Sequence, residues 1–240
     1  EKEIKDIYAQ ANTKQLIAKY DFNTASGGTI ADNTNNGHTA TYTGGVTFAS
    51  GAMVLNGSTG YMQLDDFYIG QDLTAVMTIK SDVVKNFALF SKNTTAGGNI
   101  TVNGYYAGWQ MNVQNQTLAS GTIAANTSYT VVYTIKQISA NKSRIQVYIN
   151  GSPIYAADTK LDAVLGDTTG KPWIIGAEWD NTTLSDFFDG TIDNLTIYNY
   201  EMSSTEVSTN ATALTNGTYT PSTSVYPITG EPYKTINSSA

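Results

Sequence analysis

Two carboxylates separated by one residue are the side chains of this sequence best arranged for acid–base chemistry. Glu178 and Asp180 flank Trp179, and on a β-strand residues two apart point to the same side. Cleavage of a glycosidic bond requires two carboxyl groups about 5–5.5 Å or 6.5–9.5 Å apart across a sugar. No third carboxylate completes the pattern Glu-x-Asp-x-x-Glu, because Thr183 occupies the last position. We therefore expect no catalytic residues here.

Other reactive side chains are sparse. The sequence has no Cys, which excludes disulfides, thiolate metal ligands and Cys nucleophiles. The single His, His38, lies in an Asn/Gly-rich loop without an activated Ser nearby, so a Ser-His-Asp triad is not indicated. No Gly-rich loop precedes a helix, and nucleotide binding has no support either.

Two segments combine aromatic rings with short polar side chains, which together bind sugars by stacking and hydrogen bonding. They are Gly104–Gln114 and Glu178–Asn181. Trp109 has an alternative role in the core, because large aromatic side chains are usually buried. Trp179 has polar neighbours on both sides and is expected to be exposed. The candidate sugar contacts are Tyr105, Tyr106, Trp109, Gln110, Asn112, Glu178, Trp179 and Asp180.

The balance of charge excludes two classes of partner. With 13 Lys+Arg against 20 Asp+Glu, the formal net charge is −7 and the pI is near 4.6. A chain this poor in cations lacks the basic surface of a nucleic-acid-binding protein. No apolar run approaches the roughly 20 residues that span a bilayer, so we expect no membrane insertion.

The candidate side chains must be positioned almost entirely by β-strands. From Leu16 onward, short β-branched and aromatic runs alternate with clusters of Gly, Asn, Asp and Ser. Apolar and polar residues alternate most cleanly in Arg144–Ile149, and Asn150-Gly151 follows as a hairpin turn. About a dozen such runs without intervening helices predict an all-β fold, a two-sheet antiparallel β-sandwich.

The two ends of the chain differ from this β-region, which we expect to be one domain over residues 16–207. Residues 1–15 have the apolar spacing of a short helix and are interpreted as a linker or docking segment. The sequence begins at Glu1 without a signal peptide, so we expect a mature or excised piece of a precursor. Residues 208–240 are rich in Thr, Ser and Pro, typical of a segment that links modules. They could also pack on the sandwich, and the expected anchors are Tyr219, Val225, Tyr226 and Ile228.

Four segments follow one another in an order that is typical of one superfamily. They are LIAKYDFNTASGGTIADNTNNGHTAT (16–41), MVLNGSTGYMQL (53–64), RIQVYING (144–151) and FDGTIDNLTIYNYEMSSTEV (188–207). In this order they resemble the laminin-G-like branch of the concanavalin A-like lectin/glucanase superfamily, whose fold is a jelly roll. Two features depart from the family pattern. The loop after Asp32 lacks the usual Ser-Gly, and Leu73–Lys80 lacks the usual Trp.

The resemblance implies a structural Ca²⁺ ion. Family members often hold one between the Asp32 loop and an Asp of the closing strand, which here is Asp193. These two carboxylates and carbonyl groups near Asn35 and His38 would supply the oxygen ligands that calcium prefers. In the alternative interpretation, Asp32 makes an Asx-turn and Asp193 bonds to neighbouring backbone. Asn35 tolerates positive φ and is suited to hold the turn.

The resemblance also implies a non-catalytic, lectin-like carbohydrate-binding module of a bacterial glycan-degrading protein, secreted or at the cell surface. Its expected partners are a glycan or polysaccharide and a neighbouring catalytic domain, and we expect a monomer. Because fold alone does not give function, two alternatives stay open. The chain could be an adhesin or spacer domain, which tail residues lying across the sugar-binding surface would favour. It could also be a glycosidase or lyase acting through Glu178 and Asp180.

Overall fold

A computed structural model gives the conformation of most of the chain. The residues that it describes are 13–23, 25–64, 72–93, 99–105, 108–113, 116–156, 158–164, 172–180 and 183–222. The helix predicted over residues 1–15 falls largely outside them, and Thr13–Gln15, which lie within them, are not helical. The expected anchors Val225, Tyr226 and Ile228 also lie outside the described residues.

Within this part of the chain there are nineteen strands and two short helices. The helices are α1 (Ser204–Thr209) and α2 (Ala211–Thr215). Neither they nor any other described helix is long and apolar enough to cross a membrane. The strands are β1 (Leu16–Tyr20), β2 (Thr29–Ile30), β3 (Ala40–Thr43), β4 (Thr47–Ala49), β5 (Ala52–Asn56), β6 (Tyr61–Gln63), β7 (Asp72–Ser81), β8 (Phe87–Asn93), β9 (Asn99–Tyr105), β10 (Gly108–Val113), β11 (Gln116–Ser120), β12 (Ser128–Ser139), β13 (Lys142–Ile149), β14 (Ser152–Pro153), β15 (Lys160–Leu161), β16 (Ile174–Ile175), β17 (Glu178–Asp180), β18 (Thr183–Ser185) and β19 (Asp189–Tyr198).

Nine strands form the larger sheet. Its main order is β14-β13-β12-β7-β19-β5-β4, with β15 paired to β13 and β1 paired to β19. Strand β19 therefore has three antiparallel partners, since β7 lines one edge while β5 and β1 share the other. The predicted turn at Asn150-Gly151 joins β13 to β14, with φ angles of 52° and 81°.

Eight strands form the second sheet, in the antiparallel order β11-β10-β9-β8-β16-β6-β3-β2. The core lies between the two sheets. Phe90 of β8 stacks on Trp173 at a centroid distance of 4.4 Å and meets Tyr133 of β12 at 6.3 Å. Such aromatic pairs contribute about 0.5–1.5 kcal/mol beyond their buried area. The predicted two-sheet antiparallel β-sandwich is confirmed.

The outer face of the nine-stranded sheet is covered by residues 203–222, and we call it the covered face. The Thr215 carbonyl accepts hydrogen bonds from Thr78 Oγ1 at 2.9 Å and from Asn194 Nδ2 at 2.8 Å. Tyr219 is buried there, as expected of an anchor. The side chains packed between sheet and helices form a second hydrophobic cluster, which consists of Val76, Val132, Tyr148, Tyr198, Tyr200, Met202, Val207, Leu214 and Tyr219.

One carboxylate joins the first described residues to the C-terminal segment. Glu206 of α1 accepts hydrogen bonds from the hydroxyls of Tyr200 and Tyr219. It also accepts one from the Lys14 ammonium, whose Nζ lies 3.0 Å from Oε2. Lys14 also lies 4.5 Å from the centroid of the Tyr200 ring. Burial by itself would raise the pKa of Glu206, but the hydrogen bonds from Tyr200, Tyr219 and Lys14 outweigh burial and lower it. Ionised Glu206 therefore stabilises the folded chain.

Substitution of Gly190 should test the closest backbone approach in β19. Gly190 has φ of 144°, and a Cβ at this position would lie 2.1 Å from the carbonyl oxygen of Lys80 in β7. Because neither backbone can move without disrupting the sheet, we expect Gly190→Ala to lower the free energy of unfolding by about 3 kcal/mol or more. Urea denaturation measures this loss. Gly28→Ala is the control, since Gly28 also has positive φ but no atom lies within 4 Å of its Cβ position. Equal losses in the two variants would contradict the steric explanation.

Removal of the Glu206 charge should destabilise the domain at neutral pH but not in acid. The folded-state pKa is below the ordinary value of 4.5, so the stabilisation is complete above about pH 4.5 and disappears as the pH falls through the folded-state pKa. We expect Glu206→Gln to lose about 1–2 kcal/mol at pH 7, and the difference from the native chain to shrink in acid.

Urea denaturation at several pH values measures the effect of Glu206→Gln. Asp162→Asn is the control, because it removes an exposed ion pair with Lys142 that should contribute little at any pH. A Glu206→Gln loss that is constant across the pH range would disprove the role of the ionised carboxylate.

Candidate binding surface

Strand β10 alternates between the core and the outer face of the eight-stranded sheet. Trp109, Met111 and Val113 are buried in the core, and Trp109 is only 1% exposed. Its ring packs edge to face on Tyr129, with centroids 5.4 Å apart. Gln110 lies between the buried residues and is partly exposed. The prediction that Trp109 contacts a sugar is therefore wrong, because its ring is enclosed between the sheets.

Three other predicted contacts near β10 are only partly described. The backbone of Tyr105 pairs with Gly108, and that of Asn112 pairs with Thr101. Tyr106 lies outside the described residues. The sugar contacts expected of Tyr105, Tyr106 and Asn112 stay predictions.

The strand register places one row of residues on this outer face. Directly opposed residues of antiparallel strands share a face. This face is opposite to that of Phe90, Ile175 and Met62, which are buried in the core, so the row is directed away from the core. Sequence reasoning missed Gln63 and Thr41, although the alternation around buried Met62 was a signal for Gln63. Among the residues whose side chains the structure describes, the row consists of Ser91, Ile174, Gln63 and Thr41 on four strands, and of these Gln63 and Thr41 are accessible to solvent.

The hairpin β17–β18 is attached to the same outer face beside β8. The hydroxyl of Ser91 donates a hydrogen bond to the Ala177 carbonyl at 2.8 Å, and the Ala88 N–H donates to the Asp186 carbonyl at 2.7 Å. These bonds hold both ends of the hairpin. Trp179 at its centre is partly buried, although exposure was expected. We call the outer face of the eight-stranded sheet, together with this hairpin, the open face.

The two carboxylates of the hairpin have different surroundings. Glu178 is only 6% exposed, whereas Asp180 is exposed and accepts a hydrogen bond from the Ser185 hydroxyl at 2.7 Å. Cleavage of a glycosidic bond requires both carboxyl groups to reach the sugar. Burial of Glu178 therefore supports neither a catalytic pair with Asp180 nor the sugar contact expected of Glu178. Asp180 stays a candidate contact.

The Asp32 loop is closed by the carboxylate of Asp32 itself. Oδ1 accepts hydrogen bonds from the N–H groups of Lys19 at 3.1 Å and Thr34 at 2.9 Å, and Oδ2 accepts from the His38 N–H at 3.3 Å. The Thr34 hydroxyl lies 2.8 and 2.7 Å from the two oxygens. Asn35 has φ of 65°, which confirms that it holds the turn. Hydrogen-bond donors thus surround the oxygens that a cation would need, as in the Asx-turn interpretation.

The other expected calcium ligands are also engaged or lie elsewhere. The His38 carbonyl accepts a hydrogen bond from the Tyr20 hydroxyl. Asp193 is exposed at a bulge of β19, where desolvation by neighbouring atoms raises the pKa of its carboxyl group and the charge of Lys80 offsets part of this effect. In the part of the chain that the structure describes, no three His, Asp or Glu side chains gather as a metal site. These residues fit a hydrogen-bonded loop better than a calcium site, and calcium binding stays a prediction.

Comparison with known families gives one match over most of the sandwich. A laminin-G family model, described as the concanavalin A-like lectin/glucanases superfamily, matches residues 56–208. No curated protein sequence gives a significant match. The family match covers the third and fourth of the segments that suggested the resemblance in full, and residues 56–64 of the second.

Solved structures share the fold at low sequence identity. Domain 4 of AbnA, a GH43 extracellular arabinanase from Geobacillus stearothermophilus, solved with arabinotriose, is 18% identical with a TM-score of 0.65. The alignment covers 83% of this chain and 99% of that domain. A Trypanosoma rangeli sialidase in complex with sialic acid is 16% identical with a TM-score of 0.64, and the alignment covers 83% of this chain but 33% of the sialidase.

A third similar structure is the receptor binding domain of botulinum neurotoxin type G. It is 15% identical with a TM-score of 0.60, over 82% of this chain and 51% of that domain. This chain thus spans about a third of the sialidase and half of the neurotoxin domain. At these identities the similarity shows a shared fold.

Substitution of Asp32 should separate the hydrogen-bonded loop from a calcium site. An Asn side chain has one acceptor oxygen where Asp has two, so Asp32→Asn should leave backbone donors unsatisfied and lower the free energy of unfolding by about 1–3 kcal/mol. Urea denaturation measures this loss, and Asp158→Asn in an exposed loop is the control. Thermal melting in CaCl₂ and in EDTA should give the same midpoint for the native chain. A midpoint that EDTA lowers in the native chain but not in Asp32→Asn would instead establish a calcium site.

Proposed function

We propose that this chain, which belongs to the concanavalin A-like lectin/glucanases superfamily, is a non-catalytic carbohydrate-binding module. It would bind a glycan or polysaccharide on the open face. Binding would raise the local substrate concentration for a catalytic domain tethered to it. The proposal includes an extracellular location, secreted or at the cell surface, as part of a bacterial glycan-degrading protein.

The position of the C-terminal segment carries this proposal. Residues 203–222 pack on the covered face, through contacts such as those of Thr215 and Tyr219. They lie on the side of the sandwich opposite to the open face and do not obstruct it. An adhesin or spacer role would be favoured by a segment lying across the sugar-binding surface. The described tail residues instead lie on the covered face.

The chemistry of the open face suits a sugar. Sugars present flat C–H faces and a rim of hydroxyl groups, which aromatic rings and short polar side chains complement. Trp179 supplies an aromatic ring, and Gln110, Gln63 and Thr41 supply amide and hydroxyl groups that both donate and accept hydrogen bonds. The sheet holds these polar groups at a spacing that the strand register determines.

The structural neighbours agree with this function. Domain 4 of the arabinanase AbnA was solved with arabinotriose and belongs to an extracellular enzyme. The Trypanosoma rangeli sialidase was solved with sialic acid, and its alignment with this chain covers a third of its length. Domains of this fold therefore occur within proteins that bind or degrade glycans.

A glycosidase or lyase is the less favoured function. It would require Glu178 and Asp180 to reach one sugar together, and Glu178 is only 6% exposed. If the purified chain cleaves a polysaccharide and Glu178→Gln abolishes the turnover, the non-catalytic proposal is wrong.

Affinity gel electrophoresis on a panel of polysaccharides tests binding. We expect the native chain to be retarded by at least one of them and Trp179→Ala to lose about tenfold or more in affinity, because a stacked aromatic ring contributes roughly 1–3 kcal/mol. Val84→Ala is the matched control, since Val84 is an exposed apolar residue outside the open face. Its retardation should equal that of the native chain.

Two results would contradict the proposed function. If no polysaccharide retards the native chain, the spacer or adhesin role is favoured. If Trp179→Ala binds as tightly as Val84→Ala while both retain the native melting temperature, sugar binding does not involve the hairpin of the open face.

A further inference from the structure

Resting on the carbohydrate-binding function proposed above, we infer that the open face selects uncharged polysaccharides and rejects acidic ones. The ligand would be a neutral glycan chain, recognised through its hydroxyl groups and ring faces. The distribution of charge over the open face supports this selectivity, and it differs from that of the rest of the molecule.

The strands of the eight-stranded sheet carry almost no charge. Of all residues in β2, β3, β6, β8, β9, β10, β11 and β16, Lys92 alone is charged. The sequence from Asn93 to Ile135 contains no Asp, Glu, Lys, Arg or His. This long uncharged stretch includes β9, β10 and β11 and the segments that connect them. The net charge of −7 is therefore carried by other parts of the chain.

The only charged side chain of these strands, Lys92, points away from the open face. Lys92 neighbours Ser91 in β8, and since Ser91 belongs to the outer row, Lys92 points to the opposite side. Its side chain is fully buried, with Nζ 5.2 Å from the centroid of the Trp173 ring. An aromatic face stabilises an ammonium group at this distance. Because the Lys92 side chain is fully buried, it is not accessible to a ligand on the open face.

The hairpin adds negative charge to the open face. Asp180 is exposed on β17, and Glu178 lies in the same strand but is buried. A carboxylate beside an otherwise neutral surface repels a polyanion and does not compensate the charge of an acidic sugar. Repulsion of the wrong ligand is one of the two ways in which a surface achieves specificity.

Uncharged polar groups remain as the means of recognition. The amides of Gln110 and Gln63 and the hydroxyl of Thr41 pair with sugar hydroxyls without an ionic partner. A uronate or sialate would have to transfer its carboxylate from water to strands that expose no Arg or Lys side chain, which costs free energy. Neutral sugars incur no such cost. Their binding should also be insensitive to salt, because screening acts only on charges.

Affinity gel electrophoresis with two classes of polysaccharide tests this selectivity. The neutral class is arabinan, xylan and galactomannan, and the acidic class is polygalacturonate and alginate. We expect retardation of the native chain by at least one neutral polymer and by neither acidic one. The dissociation constant for the neutral polymer should change by less than about twofold between low and high NaCl concentration.

A charge introduced on the open face provides the complementary test. Gln110→Arg should acquire retardation by polygalacturonate that disappears at high salt. Thr205→Arg is the matched control, since Thr205 is exposed on α1 and the change in net charge is the same. Equal retardation of the two variants by polygalacturonate would contradict the inference. The total charge of the chain, and not the charge of the open face, would then determine binding of the acidic polymer.

Each remaining outcome of the panel has a separate meaning. Salt-dependent binding of an acidic polymer by the native chain overturns the selectivity but leaves the carbohydrate-binding function standing. Retardation by neither class overturns that function and the selectivity with it. Retardation by a neutral polymer alone, unchanged by salt, supports both.

Discussion

Strand β19 is hydrogen-bonded along both of its edges, and the positions of most other elements follow from this. On one edge it pairs with β7, where Gly190 permits an approach that any side chain would prevent. On the other edge its first half pairs with β5 and its second half with β1. A central strand with three partners brings together segments from the beginning, middle and end of the chain. The residues that follow β19 then continue directly onto the covered face.

In the described part of the chain, the outer face of the nine-stranded sheet is covered by helices and that of the eight-stranded sheet is not, because the first carries outward apolar side chains and the second is mainly polar. A sheet can direct only one face to the core, so apolar residues on the other face must be covered or remain in water. On the nine-stranded sheet, Val76, Val132 and Tyr198 point outward, and the helices bury them together with Val207 and Leu214. The corresponding row of the eight-stranded sheet is mainly polar. Its middle is buried at Ile174 and at Ser91, which is bonded to the hairpin segment, whereas Gln63 and Thr41 remain accessible to solvent.

Several ionised groups are placed where they stabilise the fold, away from the strands of the open face. Glu206 is held by two Tyr hydroxyls and Lys14, and Arg144 pairs with Glu201 beside the covered face. Lys92 is buried against Trp173 in the core. The strands of the open face thus have a neutral, amide- and hydroxyl-rich character, and its hairpin adds the exposed carboxylate of Asp180. This separation of charge from the ligand surface connects the packing of the sandwich to the ligand class that we propose.

The local pattern of the sequence was sufficient for the elements and for some of their geometry. Alternation of residue types predicted the strands, and Asn150-Gly151 predicted the hairpin turn that the structure contains. The order of four short motifs indicated the superfamily, which the match over residues 56–208 confirms. The tolerance of Asn for positive φ likewise predicted the role of Asn35. Each of these features depends on residues that are close together in the chain.

Only the tertiary structure decided which of the candidate side chains are accessible. The strand period places Glu178 and Asp180 on one side of β17, but burial of Glu178 depends on how the hairpin packs. The sequence alone leaves open which side of β10 Trp109 faces, and the structure shows its ring enclosed between the two sheets. Gln63 and Thr41 join Ser91 in one row through pairings between distant strands. Side-chain alternation is a local property of the backbone, whereas register and burial arise from contacts between distant segments, and the sequence pattern of one strand contains no information about them.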